Sequence, residues 1–325
     1  FRSNVLLETP GQLDIQAAVS STSGSISFVA TNDILLATAI EVSTGLTGQI
    51  YANAGGALTT GADSRFVALT GNVALTANGN ITLGGISTEG RAALISETGH
   101  IRAAGSTAFD LEVLASQLLL RADNALNGGV GTLAPATVES FRTQFGRVAA
   151  VAGAEGIHLV NSEGLTVGFV SVSNAKVIAD GSLVDQADLT LTDLTTVAGS
   201  ASIVLRTTNG SITLNEGGDS NDASVVAHGA GNVLLSAADE LTANANVLST
   251  SGHLTLRAVN TLTQASGSTI GTAASGTILV QSTDGVVTMG DTATVRATGS
   301  SVLVDADGTV TVGVIEASSV AVESA

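Results

Sequence analysis

Residues 71–85, GNVALTANGNITLGG, decide the fold. A glycine is followed by apolar residues two and four places on, Val73 and Leu75. A polar break carries Asn78-Gly79, and Ile81 and Leu83 then repeat the alternation. Apolar residues at period two mark a strand with one buried face. The phrase recurs: a glycine with Ile, Leu, Val, Phe or Met at both +2 and +4 stands at Gly11, Gly24, Gly71, Gly79, Gly210, Gly231, Gly252, Gly276, Gly285 and Gly308. Chance placement at this composition gives roughly three such glycines. The glycine is expected to supply a turn conformation that other residues avoid.

The phrases come in pairs. Val73 and Leu75 precede Ile81 and Leu83; Ile203 and Leu205 precede Ile212 and Leu214; Ile278 and Val280 precede Val287 and Met289; Val302 and Val304 precede Val310 and Val312. Between them sit Asn78-Gly79, Asn209-Gly210, Asp284-Gly285 and Asp307-Gly308. Such dipeptides alone would signal two-stranded hairpins, but a longer period overrides that reading. Ile26, Ile50, Val73 and Leu94 are spaced by 24, 23 and 21 residues; Ile203, Val233, Leu254, Ile278 and Val302 by 30, 21, 24 and 24. A repeat of roughly 20–30 residues means a solenoid. With two or three short strands per repeat and no helical periodicity, each repeat is one coil of a parallel β-helix. Each strand then pairs with its equivalent one coil away, about 4.8 Å along the axis, and about fifteen coils give a rod on the order of 70 Å long. Alanines such as Ala77, Ala237 and Ala258 suit inward positions near corners. The competing fold is a β-sandwich array, which would call for core aromatics and a less even period.

One continuous β-helix over residues 1–325 is expected, less regular at about 122–200. There ATVESFRTQFGRVAAVAGAEG (136–156), with Phe141, Phe145 and the preceding Pro135, reads as a short helix or bulging loop, or as a wider coil with larger core residues. GIHLVNSEGLTVGFVSV (156–172) returns to strand spacing.

Composition agrees with stacked, equal layers. There are 38 glycines, two prolines, seven phenylalanines, one tyrosine, no tryptophan and no cysteine. Disulfides and thiol chemistry are excluded. The formal charge is −17, with Lys176 the only lysine. Nucleic acid and anionic membrane surfaces need dense cationic charge and are not expected partners. The best apolar run, DILLATAIEV (33–42), is far short of the ~20 residues of a membrane helix, so no membrane insertion is expected. The chain opens at Phe1 without a signal peptide and reads as a processed product or an excerpt.

The phrases GNVALTANGNITLGG, GSASIVLRTTNGSITL (199–214), GHLTLRAVNTLTQASGSTI (252–270) and RVAAVAGAEGIHLVNSEGLTVGFVSV (147–172) resemble the repeat regions of filamentous-haemagglutinin-like bacterial exoproteins and adhesins. The resemblance covers nearly the whole chain and is one of repeat style. It implies a right-handed parallel β-helix, export across an outer membrane, an extracellular place on the bacterial surface, and a role in adhesion or surface structure. No secretion module or β-barrel is seen in the chain, so it reads as the shaft of a longer protein.

Candidate chemistry is sparse. β-Helical enzymes that cut acidic polysaccharides need clustered carboxylates beside a groove. Asp219 and Asp222 in GGDSND, and Asp185, Asp188 and Asp193 in LVDQADLTLTD, read instead as solvated acids. No catalytic residue is assigned and no enzyme is expected. Asp305 and Asp307 in DADG form half of a calcium-loop pattern. The remaining ligands are absent at the right spacing, so a plain Asp-Gly turn is the stronger reading, and calcium is the one cofactor carried forward. His100 and His253 are expected on the surface; His158 and His228 fit no local metal motif. Thr-x-Thr pairs at 190–192, 261–263, 292–294 and 309–311 are not expected to share a register.

GQLDIQAAV is in repeat by residue 11, and TVTVGVIEASSVAVESA still alternates at Ala325. Exposed strand edges pair with other chains unless capped. The expected partners are therefore the rest of a longer chain or identical copies stacked end to end; the sequence names no receptor. Three functions follow in order: a non-enzymatic adhesin-like shaft, a self-assembling filament or surface-layer subunit, and a polysaccharide-binding or polysaccharide-cleaving β-helix.

Overall fold

The computed structural model describes residues 3–105, 111–131 and 141–324. Every regular element among them is a strand. The chain forms two units: Phe1–Phe145 with Val170–Leu191, and Gly146–Phe169 with Thr192–Ala325. Each is a parallel β-helix.

In unit 1 a coil holds a first strand of about five residues and two shorter ones. First strands Val5–Thr9, Ile26–Ala30, Ile50–Ala54, Val73–Ala77 and Arg91–Ser96 pair in parallel, each with its equivalent in the next coil. Second strands Leu13–Ile15, Ile34–Leu36, Leu58–Thr60, Ile81–Leu83 and Ile101–Ala103 do the same. So do third strands Val19–Ser21, Glu41–Thr44, Arg65–Ala68 and Ile86–Thr88. Side chains of like kind therefore stack inside: Ile26, Ile50 and Val73 in one column, Phe28, Ala52 and Leu75 in the next, all at most 1% exposed. Because a strand alternates faces, the residues between them point outward.

Unit 2 repeats this plan. Ile203, Val233, Leu254, Ile278 and Val302 form one inward column in unbroken register. These are the residues whose spacing defined the period. In unit 1 the register departs from that spacing once, because Val73 pairs with Ala92 and Leu94 stacks on Leu75. A small alanine fills the expected large position, and the coil is two residues shorter than predicted. Asn78-Gly79 and Asn209-Gly210 join consecutive strands of a coil, and neither forms a two-stranded hairpin. Ala77, Ala237 and Ala258 are buried next to these corners, as expected.

The glycine ahead of the first strand has a different reason from the expected one. Gly24, Gly71, Gly231, Gly252 and Gly276 all have ordinary negative φ. What they share is a neighbour: an added Cβ would lie 1.9 Å from the Gly48 carbonyl oxygen at Gly71, 1.9 Å from that of Gly231 at Gly252, and 1.9 Å from that of Gly252 at Gly276. At Gly24 and Gly231 the neighbour is the carbonyl oxygen of Ser3 and of Ala201, at 2.2 and 2.1 Å, so in all five coil spacing forbids a side chain. A hydroxyl fastens this corner. Thr44, Thr88 and Ser249 donate through their side-chain oxygens to the carbonyls of Gly24, Gly71 and Gly231 at 2.5, 2.6 and 2.8 Å. Gly210, by contrast, does occupy the left-handed region, with φ of 76°.

Within the less regular stretch, residues 132–140, Pro135 among them, lie outside the described residues. The helix expected over 136–156 is not formed by residues 141–156; Phe141–Gln144 and Arg147–Ala152 are strands. Phe141 and Phe145 are buried, matching the larger core residues of the other reading. The bulge comes later. Val170–Val172 pairs antiparallel with Leu189–Leu191, and Ala175–Val177 with Leu183–Asp185, making a hairpin that belongs to unit 1.

Candidate functional site

Among the described residues two places depart from plain coil stacking: the face of unit 1 under the hairpin, and an acidic turn in unit 2.

On unit 1, the outward residues of the first strands run Leu6, Ser27, Tyr51, Ala74, Ala93, Leu119 in register. Ser27, Ala74, Ala93 and Leu119 point away from the core, yet each is at most 1% exposed. The hairpin covers them with Val170, Val172, Ala175 and Val177, which are themselves buried. A second column, two residues earlier in each coil, holds its backbone. Arg91 Nη1 donates to the Ser171 carbonyl at 2.6 Å, and Asn72 Nδ2 to that of Ser173 at 2.8 Å. Gln49 Oε1 accepts from the Ala175 amide at 3.1 Å, and Asn4 Nδ2 donates to the Gly181 carbonyl at 2.8 Å. The Ser27 hydroxyl accepts from the Val177 amide at 2.8 Å. Contacts at 171, 173, 175 and 177 advance two residues per coil. Two strand residues rise about 6.6 Å while coils are about 4.8 Å apart, so the hairpin crosses the coils obliquely. Buried backbone groups need partners, and this ladder supplies them where no sheet edge is offered. Lys176 pairs with Glu8 at 3.2 Å on the rim.

The column also ties the coils together. Asn4 Oδ1 accepts from the Ser25 amide, Ser25 Oγ from that of Gln49, and Asn72 Oδ1 from that of Arg91, at 2.8, 3.0 and 2.9 Å. Sequence reading missed these residues because a polar side chain before a strand reads as solvated surface.

The acidic turn brings together two of the five carboxylates singled out in the sequence. Asp193, with φ of 60°, lies under the 216–222 loop, where a Cβ on Gly217 would come 2.7 Å from its Oδ1. Asp193 is 1% exposed, and neither carboxylate oxygen completes a hydrogen bond. Burial first, and then the negative charges of Asp219 and Glu216, push its pKa up to about 6, against the smaller favourable pull of Thr192 and the Gly217 amide. Asp219 is itself held by Asn221 Nδ2 at 2.8 Å and the Thr192 hydroxyl at 3.2 Å. Such a pair has the electrostatics of an acid–base couple, but the carboxyl that carries the proton faces the protein interior. Asp222 is exposed in the same loop, while Asp185 and Asp188 are exposed on the hairpin. Glu216 was not anticipated. Glu112 in unit 1 shows the opposite solution to burial: both its oxygens are taken by Arg142, through Nε at 3.0 Å, Nη2 at 2.7 Å and the backbone amide at 2.7 Å.

Asp305 points outward in register with Gln281 and Glu323, and its Oδ2 accepts from Gln281 Nε2 at 2.8 Å. Asp307 sits in the turn that follows. Among the described residues no three His, Asp or Glu side chains converge as a metal site. His253 is exposed and His100 half-exposed; His228 is exposed, with Nδ1 2.9 Å from the Gly199 carbonyl oxygen. His158 is buried, which holds its imidazole below the usual range, and its Nε2 lies 3.1 Å from the Glu155 carbonyl oxygen. Consecutive coils do not repeat the Thr-x-Thr pair, although 261–263 and 309–311 share a register two coils apart; single threonines do repeat: Thr166, Thr213, Thr242, Thr263, Thr288 and Thr311 form one outward file down the second strands of unit 2.

No family model, curated protein or solved structure matches this chain.

Proposed function

We propose that this chain is the β-helical shaft of an adhesin-like protein of a bacterial cell surface, giving rigid reach and carrying out no reaction. One observation carries the reading: within each unit, strands of successive coils pair in parallel with like residues stacked in columns. Backbone hydrogen bonds in such an array run from coil to coil, so load along the stack is shared among many parallel bonds. The low aromatic content, the acidic charge and the repeat style support the same reading. Its partners on this reading are the flanking parts of a longer chain and a receptor on another surface.

Force spectroscopy with handles near residues 3 and 324 tests the mechanical part. Stepwise lengthening in coil-sized increments is expected; full extension in one step at low force would overturn it. Antibody labelling of intact source cells tests the location, and labelling only after lysis would count against a surface protein. Turnover of an acidic polysaccharide by the purified chain would replace the shaft with an enzyme.

A further inference from the structure

Unit 2 repeats the hairpin-holding face of unit 1, and among the described residues no hairpin covers it. After His158, which is buried, the outward column of its first strands runs Val204, Leu234, Thr255, Leu279, Leu303. All five are partly exposed, whereas four of the six equivalents in unit 1 are buried beneath Val170–Val177. The polar column two residues earlier is also present, as Ser202, Asn232, His253 and Thr277. It is tied coil to coil in the same way: the amides of Asn232, His253 and Thr277 donate to Ser202 Oγ, Asn232 Oδ1 and His253 Nδ1 at 3.2, 2.8 and 3.1 Å. Because Asn232 Oδ1 and His253 Nδ1 accept, Asn232 Nδ2 and His253 Nε2 are left as outward donors. In unit 1 the corresponding donors, Asn72 Nδ2 and Arg91 Nη1, take hairpin carbonyls.

Charge selects the occupant. The next outward column of unit 2 runs Arg206, Ser236, Arg257, Gln281, Asp305, Glu323, cationic beside Val204 to Thr255 and acidic beyond; both arginines are exposed and neither is ion-paired among the described residues. In unit 1 that column runs from Glu8, which meets Lys176 of the hairpin, to Arg121, which pairs with Glu97. Lys176 thus meets a carboxylate in unit 1, whereas the Arg206 and Arg257 end of the unit 2 column calls for a carboxylate on the occupant, which the hairpin's lysine does not supply.

We propose that this face of unit 2 receives an extended segment of a partner protein, with small or β-branched apolar residues at alternate positions and a carboxylate where the hairpin has Lys176. The segment lies obliquely across the coils. Its apolar residues cover Val204, Leu234 and Leu279, its carbonyls accept from Asn232 and His253, and its carboxylate meets Arg206 or Arg257. The mode differs from strand addition at a sheet edge, because side chains and not a β-ladder satisfy the backbone. The inference does not depend on the shaft reading.

The test uses the full chain and a peptide of residues 168–180 carrying Lys176→Glu, with a photocrosslinker at Val172. The peptide is expected to crosslink near Leu234 and Leu279. Affinity should fall about tenfold or more in Leu234→Glu/Leu279→Glu, and likewise in Arg206→Glu/Arg257→Glu. The arginine pair is exposed, so that variant reports on binding even where the leucine variant folds poorly. The unaltered lysine peptide should bind more weakly. Absence of binding, or crosslinks confined to Ser27, Tyr51 and Ala74, would overturn the proposal. So would concentration-dependent dimers abolished by the same variants, because the occupant would then be a second copy of the chain.

Discussion

At Gly252 a single hydrogen atom stands where any other residue would place carbon against the Gly231 carbonyl oxygen. Gly252→Ala has to move backbone, and backbone here belongs to the next coil as well. We expect a loss of at least about 2–3 kcal/mol, read as a lowered thermal midpoint. Gly267, whose Cβ would meet nothing but whose φ is 83°, is the control: its cost comes from conformation alone. Asp193 acts through pH. Its carboxyl titrates at about 6 folded, against an ordinary value of 3.8. The folded chain keeps a proton that the unfolded chain gives up first, so stability falls as pH rises from about 4 to about 6 and is level above that. Asp193→Asn keeps the shape, tolerates the positive φ and removes the charge. It should stabilise the protein by about 1–3 kcal/mol at pH 7 and have little effect below pH 4, in denaturant titrations at both pH values. Neither effect was legible in the sequence. A motif glycine reads as a turn glycine until its neighbour in the next coil is known, and Asp193 and Glu216 lie too far apart in the chain to suggest a shared turn.

The hairpin is held by two kinds of contact, an apolar column and a polar ladder. A charge placed in the apolar column removes the first and leaves the second. Ala93→Glu, beneath the Val170–Val172 strand, is expected to free the hairpin while the coils stay folded. Amide exchange of Ala175 and Val177 should rise by orders of magnitude, with core amides such as Leu75 unchanged. If the amides of Leu75 exchange equally fast, the hairpin is part of the cooperative core. The coil strands were legible because Ile26, Ile50 and Val73, or Leu254 and Ile278, repeat both the period and the alternation. The hairpin was not, because VSVSNAKV alternates just as a coil strand does. Periodicity of two reports that one face is buried and does not say against what.

The pairing of each coil only with its neighbours makes the array divisible. Deleting residues 233–253 joins Asn232 to Leu254, which occupies the register position of Val233. Every column in unit 2 is kept, one layer shorter. This variant should fold with the same β-sheet circular dichroism signal and a modestly lower thermal midpoint. Deleting residues 233–243 instead joins Asn232 to Asn244 and breaks the register; that variant should lose cooperative unfolding. Equal behaviour of the two would contradict coil-by-coil stacking. The covered face of unit 1 also has an optical consequence. The chain has one tyrosine and no tryptophan. That ring, Tyr51, lies in the column beneath the hairpin, where burial already raises its phenol pKa. Tyrosine emission from this protein therefore comes from a single point at the hairpin's footing, and its quenching by acrylamide follows hairpin release without any label.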